Sequence, residues 1–410
     1  MESMDSTSPE RARALDAADP LGSFRARFAI PDPTLVYLDA NSLGRPPLAA
    51  IEAVERIARE AWPTELVRVW DRWLDLPLRV GDLLGTRLLG AREGEVAVID
   101  STTVNLFRLA SAALDARPGR RAVGIARSEF PTDRYVVEGL AASRGLEIRW
   151  LGEDPVDGVT LADVERVVDA GLALLVLSHV NYRSASIADL AAITARAREA
   201  GALVLWDLSH AAGAVPVRLT EAGADLAVGC TYKYLNGGPG APGFLFVRRE
   251  LQAELRPPIQ GWFAQADQFA MGPGFQPRAG LAGWLTGTPG VIGLAAAEAG
   301  IAMAAEAGVE RLRAKGVALT EYAIELHDAW LAPLGCRLGS PRDADRRGAH
   351  VAIRHPAAER LTAELIERGV IPDFRAPDSI RIGCSPLSTS FEEVRRGLAA
   401  LREILERGGR

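Results

Sequence analysis

Only two of the 47 basic residues in this 410-residue chain are lysines, Lys233 and Lys315, so arginine supplies positive charge almost everywhere else. A lysine retained against that background invites a chemical reason. Arginine's guanidinium stays protonated, whereas a partly desolvated lysine amine can lose its proton and attack a carbonyl carbon. Lys315, in RLRAKGVALTEY, falls on a helix that reads as exposed, and a solvated surface residue is expected there. Lys233, in GCTYKYLNGGPGAPGFLFV, stands between a β-rich run and a glycine- and proline-rich loop of the kind that lets backbone approach a ligand closely. Lys233 is therefore the candidate for covalent chemistry.

Three other segments offer it partners. LVLWDLSHAAGAVPV sets Asp207 and His210 at the carboxyl end of a strand, where ligands bind in open α/β sheets. A carboxylate there could pair with a protonated pyridine nitrogen and keep the ring an electron sink. The plain alternatives are a helix N-cap for Asp207 and a core position for His210. In IDSTTVNLFRLASAAL, Ser101, Thr102 and Thr103 open an amphipathic helix, a pattern that serves a phosphate dianion or an ordinary cap equally well. SEFPTDRY places Phe130 and Asp133 at another helix start, where an aromatic could stack on a planar ring or merely fill a core. Their order is phosphate cup, then acid, then lysine, at the ends of successive sheet elements. That order favours a pyridoxal phosphate (PLP) site over unrelated accidents.

The elements that must position these groups follow from periodicity. Short β-rich runs alternate with helix-length amphipathic stretches through the first three hundred residues, the pattern of βαβ units and a mainly parallel sheet. Strands are predicted at Ala122–Ala126, Glu147–Leu151, Leu172–Leu177, Leu203–Trp206, Leu226–Val228 and Gly243–Val247, with a helix at Ile187–Ala200 stopped by Gly201. LALLVLS is apolar on both faces, as a central strand covered by helices should be. After about Gly290 an alanine-rich helical tract leads to a strand near His350–Ile353, a helix at Glu359–Arg368, a strand at Ile380–Gly383 and a last helix.

Composition excludes several classes. The net charge of −6 carries no broad basic face, which argues against a nucleic-acid partner. The polar, acidic first twenty residues lack a secretory core, and no window reaches the ~20 apolar residues of a membrane span, so a cytoplasmic protein with no membrane partner is expected. Cys230, Cys336 and Cys384 are odd in number and far apart, and the five histidines show no paired spacing, so neither disulfides nor a metal site is expected.

With these residues in view, the chain resembles the class V aminotransferase superfamily of fold-type I PLP enzymes, and within it the kynureninase family. The matching stretches are YLDANSLGRPP, DSTTVNLFRL, FPTD, LSHVNYRSASI, WDLSHAAGAVPV, YKYLNGGPGAPGF, GW at 261–262 and DFRAPDSIRIG, spread over almost the whole chain. The resemblance implies an α/β fold: a large domain with a mainly parallel seven-stranded sheet between helices, and a small C-terminal α/β domain. The expected boundaries are an N-terminal arm at 1–30, a large domain at 31–290 and a small domain at 291–410. It also implies hydrolytic Cβ–Cγ cleavage of L-kynurenine or a substituted kynurenine to L-alanine and an anthranilate. Lys233 would carry the cofactor, Asp207 would pair with the pyridine nitrogen, Phe130 would stack on the ring, and Asp133, Ser178 and His210 would contact it. Thr102, Thr103, Tyr232, Trp262 and Thr288 would hold the phosphate, the last two reaching from the second subunit of a homodimer. Arg375 would bind the α-carboxylate of an amino-acid substrate, with Asn41 and Ser42 beside it, and Tyr232 would relay a proton.

Departures from the family pattern fall on the substrate side. Ala40 replaces the usual glycine, Gln265 follows GWF where histidine is common, PLSTSFEEV lacks a tyrosine after PL, and EAWPTELVRVWDRW matches poorly near the expected aryl pocket. The nearest rival is a cysteine desulfurase or selenocysteine lyase of the same fold, which would need a mobile reactive cysteine. A non-catalytic scaffold would have no reason to keep Lys233, Asp207 and Arg375 together.

Overall fold

The computed structural model describes residue 5 and residues 7–152 and 154–408. Its centre is a seven-stranded sheet, ordered from edge to edge Val96–Val98, Gly243–Val247, Leu226–Cys230, Leu203–Asp207, Leu172–Ser178, Ala122–Ala126 and Glu147–Leu151. Gly243–Val247 runs antiparallel to both neighbours, and the remaining pairs are parallel. Three predicted strands have the observed limits, and three extend one or two residues further at their carboxyl ends. Val96–Val98 is an additional strand that three residues of EVAVID are too short to announce.

The sheet is sealed on both faces, as its uninterrupted apolar strands require. Successive residues of Leu172–Ser178 alternate between two cores: Leu175 and Leu177 join the cluster that contains Ile193 and Ile301, while Leu174 and Val176 join the one that contains Leu109 and Leu140. The helix following Leu172–Ser178 is Leu190–Glu199, capped by the Asp189 side chain, three residues later in its start than its composition suggested. The alanine-rich tract is two helices, Val291–Ala307 and Val309–Leu326, divided at Gly308 with φ +82°. Neither they nor any other single described helix is long and apolar enough to cross a membrane.

A second, four-stranded antiparallel sheet lies toward the C-terminus, ordered Asp373–Arg375, Ser379–Gly383, His350–Arg354 and Arg337–Leu338. It packs against Ala358–Glu367 and Phe391–Gly408 around a third core that includes Val351, Ile382 and Leu398. The N-terminal segment folds onto this part of the molecule. Helix Pro9–Ala17 lies on Phe391–Gly408, and Asp16 caps that long helix by accepting from the N–H groups of Phe391 and Glu392 at 2.7 and 3.1 Å. Val36–Tyr37 pairs in parallel with Val370–Ile371.

The expectation for Lys315 is overturned. Its side chain is only 3% exposed, donates to Asp19 Oδ2 at 2.5 Å and lies 4.1 Å from the centre of the Phe391 ring. The helix face that reads as exposed is covered by a segment almost three hundred residues earlier, which no local pattern announces. Removing one partner of such a buried pair strands the other charge. Lys315→Met should lower unfolding stability by about 3 kcal/mol, while Lys315→Met with Asp19→Leu should recover most of it. Urea denaturation followed by circular dichroism measures both, and a single-variant loss below about 0.5 kcal/mol would show the pair to be solvated.

Candidate active site

Four strand ends converge on one cavity of about 80 Å³. Leu203–Asp207 ends in Asp207, whose Oδ1 accepts from the Ser209 N–H at 2.7 Å, and the turn that follows carries His210. Its parallel neighbour ends in Ser178, whose N–H and hydroxyl both donate to Glu129. Beyond Ala122–Ala126, Phe130 precedes a helix that Pro131 starts, and Asp133 occupies its first turn. These ends flank the point where the chain order reverses between Ala122–Ala126 and Leu172–Ser178, the expected ligand crevice of an open α/β sheet.

The floor and rim come from loops held at close range. Thr102 and Thr103 begin helix Thr102–Asp115, whose N-cap Ser101 accepts from Val104 N–H at 3.3 Å, so the first free N–H groups face the cavity. Lys233 is buried on the loop after Leu226–Cys230, its Nζ 3.3 Å from His210 Nε2 and 5.8 Å from the Phe130 ring centre. Gly44 lets the N-terminal segment press against this loop: its N–H donates to Tyr232 O at 2.8 Å, and a Cβ there would meet the Lys233 carbonyl at 2.3 Å. Thr102, Thr103, Phe130, Asp133, Ser178, Asp207, His210, Tyr232 and Lys233 all line the one cavity.

Other expected residues lie elsewhere. Asn41, Ser42 and Arg375 gather around the edge of the second sheet, outside the cavity lining. Trp262 joins an aromatic cluster with Trp70, Phe263 and Phe269, and Thr288 lines a separate cavity beside Thr286. Neither touches the lysine pocket of its own chain. Tyr182 was not singled out, although its segment was: it lines the cavity and meets Phe130 edge-on at 5.3 Å.

Burial governs the electrostatics. His210 is held well below its ordinary pKa by burial and by Lys233, so its imidazole stays uncharged at neutral pH. Asp133 is pushed well above the carboxylate range, by burial first and then by Asp207 and Glu129. Tyr232 is pushed up by the neighbouring Cys230 and by burial, and keeps its proton. All three cysteines are buried, with burial pushing Cys336 to about 11 and Cys384 to about 12 and raising Cys230. None is the exposed, ionised thiol that sulfur transfer requires.

Comparison with known proteins assigns this arrangement. A kynureninase from Pseudomonas fluorescens is 43% identical over 96% of this chain and 94% of its own length, and one from Burkholderia pseudomallei is 41% identical over 97% and 95%. This chain belongs to the kynureninase family. The kynureninase C-terminal domain model matches residues 312–401. Among solved structures, a cysteine desulfurase from Thermococcus onnurineus superposes with TM-score 0.81 at 19% identity, covering 99% of this chain and all of that one. A mutant of the lyase C-DES with glycine linked to its PLP cofactor gives 0.80 at 18%, covering 92% and 99%. These establish the fold that kynureninases share with other PLP enzymes.

The residues present fit PLP. Both carboxyl oxygens of Asp133 are buried without a hydrogen-bond partner, beside Asp207, so the acid side of the cavity lacks a cationic donor such as a pyridinium N–H. Opposite it stand an amine, an exposed aromatic face and a helix N-terminus, which match an aldehyde, a ring and a phosphate.

Asp39, just before Asn41, is also perturbed. Its carboxyl is pushed up to about 6, chiefly by burial and then by Asp373, against the Ser42 hydroxyl and the guanidinium groups of Arg381 and Arg375. The folded state thus binds this proton more tightly than the unfolded chain. That contribution is complete below about pH 4 and is lost as pH rises through about 6. Asp39→Asn should therefore stabilise the fold by up to about 3 kcal/mol near pH 8 and leave it unchanged near pH 4. Denaturation midpoints at the two pH values check this, and a gain that ignores pH would remove titration as its cause.

Proposed function

We propose that this chain hydrolyses the Cβ–Cγ bond of L-kynurenine, or of a ring-substituted kynurenine, to L-alanine and an anthranilate, with PLP carried on Lys233. The observation that carries the reading is the single cavity in which the lysine, an acid pair, an aromatic face and a helix N-terminus meet, in a member of the kynureninase family. PLP, when bound, supplies an electron sink conjugated to the substrate's α-carbon.

The chain's own groups divide the remaining work. Asp207 and Asp133 hold the protonated ring nitrogen, Phe130 covers the ring, and Ser178 and His210 fix its edge. Thr102, Thr103 and Tyr232 bind the phosphate, joined by Trp262 and Thr288 from a second copy in a homodimer. Support for that last assignment is that both residues stand clear of their own chain's cavity. Lys233 moves the proton at the substrate α-carbon, and the uncharged His210 beside it leaves the amine free of a carboxylate partner. Tyr232 keeps its proton at neutral pH and so can deliver one to the β-carbon. Arg375 binds the α-carboxylate through its planar fork, in a small domain of residues 291–410 facing a large domain of residues 31–290.

Lys233→Ala should abolish turnover and the visible absorption of lysine-bound PLP that borohydride removes in the parent, while circular dichroism remains unchanged. Near-normal product release from kynurenine would sink the assignment. Arg375→Lys should keep that absorption and lower kcat/KM by at least about tenfold, because a two-pronged contact becomes a point charge. The loss should be the same for kynurenine and 3-hydroxykynurenine, since the carboxylate is common to both, and unchanged specificity constants would move the carboxylate site elsewhere.

A further inference from the structure

Arg381 was not among the residues that sequence patterns singled out, yet the substrate side of the cleft is assembled around it. Its side chain is 1% exposed. Nε donates to Asp373 Oδ2 at 2.6 Å, Nη1 to the carbonyl of Tyr182 at 2.6 Å and Nη2 to Ser42 Oγ at 3.1 Å. With its amide oxygen facing the guanidinium, Asn41 accepts from the same group at 3.2 Å. Three segments distant in sequence are therefore joined through one buried cation.

The Asp373 carboxylate is shared between two arginines. Arg381 takes Oδ2, while Arg375 reaches Oδ1 with a single Nη1 contact at 3.2 Å. Arg375 Nε has no partner, and a third of that side chain is exposed. A carboxylate facing one arginine alone can close a bidentate pair with it, which would neutralise the fork and leave little of it for an incoming anion. With Arg381 engaged, two guanidiniums face one fully ionised carboxylate, and Asp39 beside them is held toward its protonated form. The positive charge left over belongs to the more exposed arginine.

We infer that Arg381 is a positioning residue for substrate binding: by occupying Asp373 it keeps Arg375 open to the substrate α-carboxylate. The inference rests on the reading that Arg375 is the carboxylate ligand. Arg381 itself touches neither substrate nor cofactor and acts through Asp373.

The test uses the PLP-loaded enzyme and two non-reacting probes titrated by calorimetry, L-alanine and L-alaninamide, which differ only in the carboxylate. Arg381→Met should weaken L-alanine binding by about tenfold while changing L-alaninamide by less than about twofold. Adding Asp373→Asn to Arg381→Met should return L-alanine to within about threefold of the parent, because the competing carboxylate has been removed. Arg381→Lys, which keeps a charge on Asp373, should fall between the parent and the methionine variant. Equal weakening of both probes, or a double variant no better than Arg381→Met, would overturn the inference in favour of a purely structural arginine. Should Arg381→Met fail to fold, Asp373→Asn alone decides: tighter or equal L-alanine binding agrees, whereas a tenfold loss would mean that Asp373 orients Arg375 instead. Arg375→Lys in the same titration separates the two layers. If it leaves L-alanine binding unchanged, the carboxylate reading itself has failed; if it weakens binding while Arg381→Met does not, only the role of Arg381 has.

Discussion

Lys233 is buried opposite an acid pair that is itself buried, and this shared removal from water sets the character of the cleft. In bulk solvent an amine and two carboxylates at such range would interact weakly. Here burial holds Asp133 toward its neutral form and strips His210 of any charge, so the field across the cavity is concentrated between Asp207 and Lys233. A cationic ring placed between them would satisfy the acid side, and an aldehyde would turn the amine into a bond. The strands supply the rigidity: Asp207 and Ser178 are register partners at the carboxyl ends of adjacent parallel strands, so their spacing is fixed by the hydrogen-bond ladder rather than by a loop.

The substrate side is built on a different principle. No strand of the central sheet reaches Arg375, which sits on an edge strand of the second sheet, and the two sheets communicate through side chains. Arg381 does most of this, spanning Ser42, the Tyr182 carbonyl and Asp373. The N-terminal segment locks the same region from behind, with Asp16 on the last helix and Asp19 on Lys315. Cofactor geometry is therefore a property of backbone register, and carboxylate geometry a property of an ion-pair network.

That division explains what the sequence disclosed. The strands around the cofactor are continuous apolar runs that stop at polar residues, so both the strand limits and the candidate residues Asp207, Ser178 and Lys233 could be read from local pattern. Val96–Val98 escaped because an edge strand of three residues has no period to read. Lys315 was misread, and Arg381 passed over, because the burial of each is decided by residues far away in the chain. Among so many arginines an isolated IRIG carries no local mark of being buried. Charge networks between distant segments are what single-sequence reasoning sees least.

The departures from the family pattern can now be given a physical place. Residues 60–73 form short, irregular helical turns, with Leu66 at φ +51° and with Trp62, Leu66 and Val67 exposed. Trp70 in this segment packs on Trp262, and Gln265 adjoins the same cluster through its backbone N–H to Trp262. The sequence differences thus collect in one aromatic, loop-built patch rather than scattering over the molecule. Ala40 is the exception: it is fully packed, and its N–H donates to Gly383 at 3.3 Å, next to the Arg381 network. Strand ends that serve the cofactor tolerate little change because one shifted residue inverts every side chain. A loop patch is free of that constraint, and it is there that this chain has diverged.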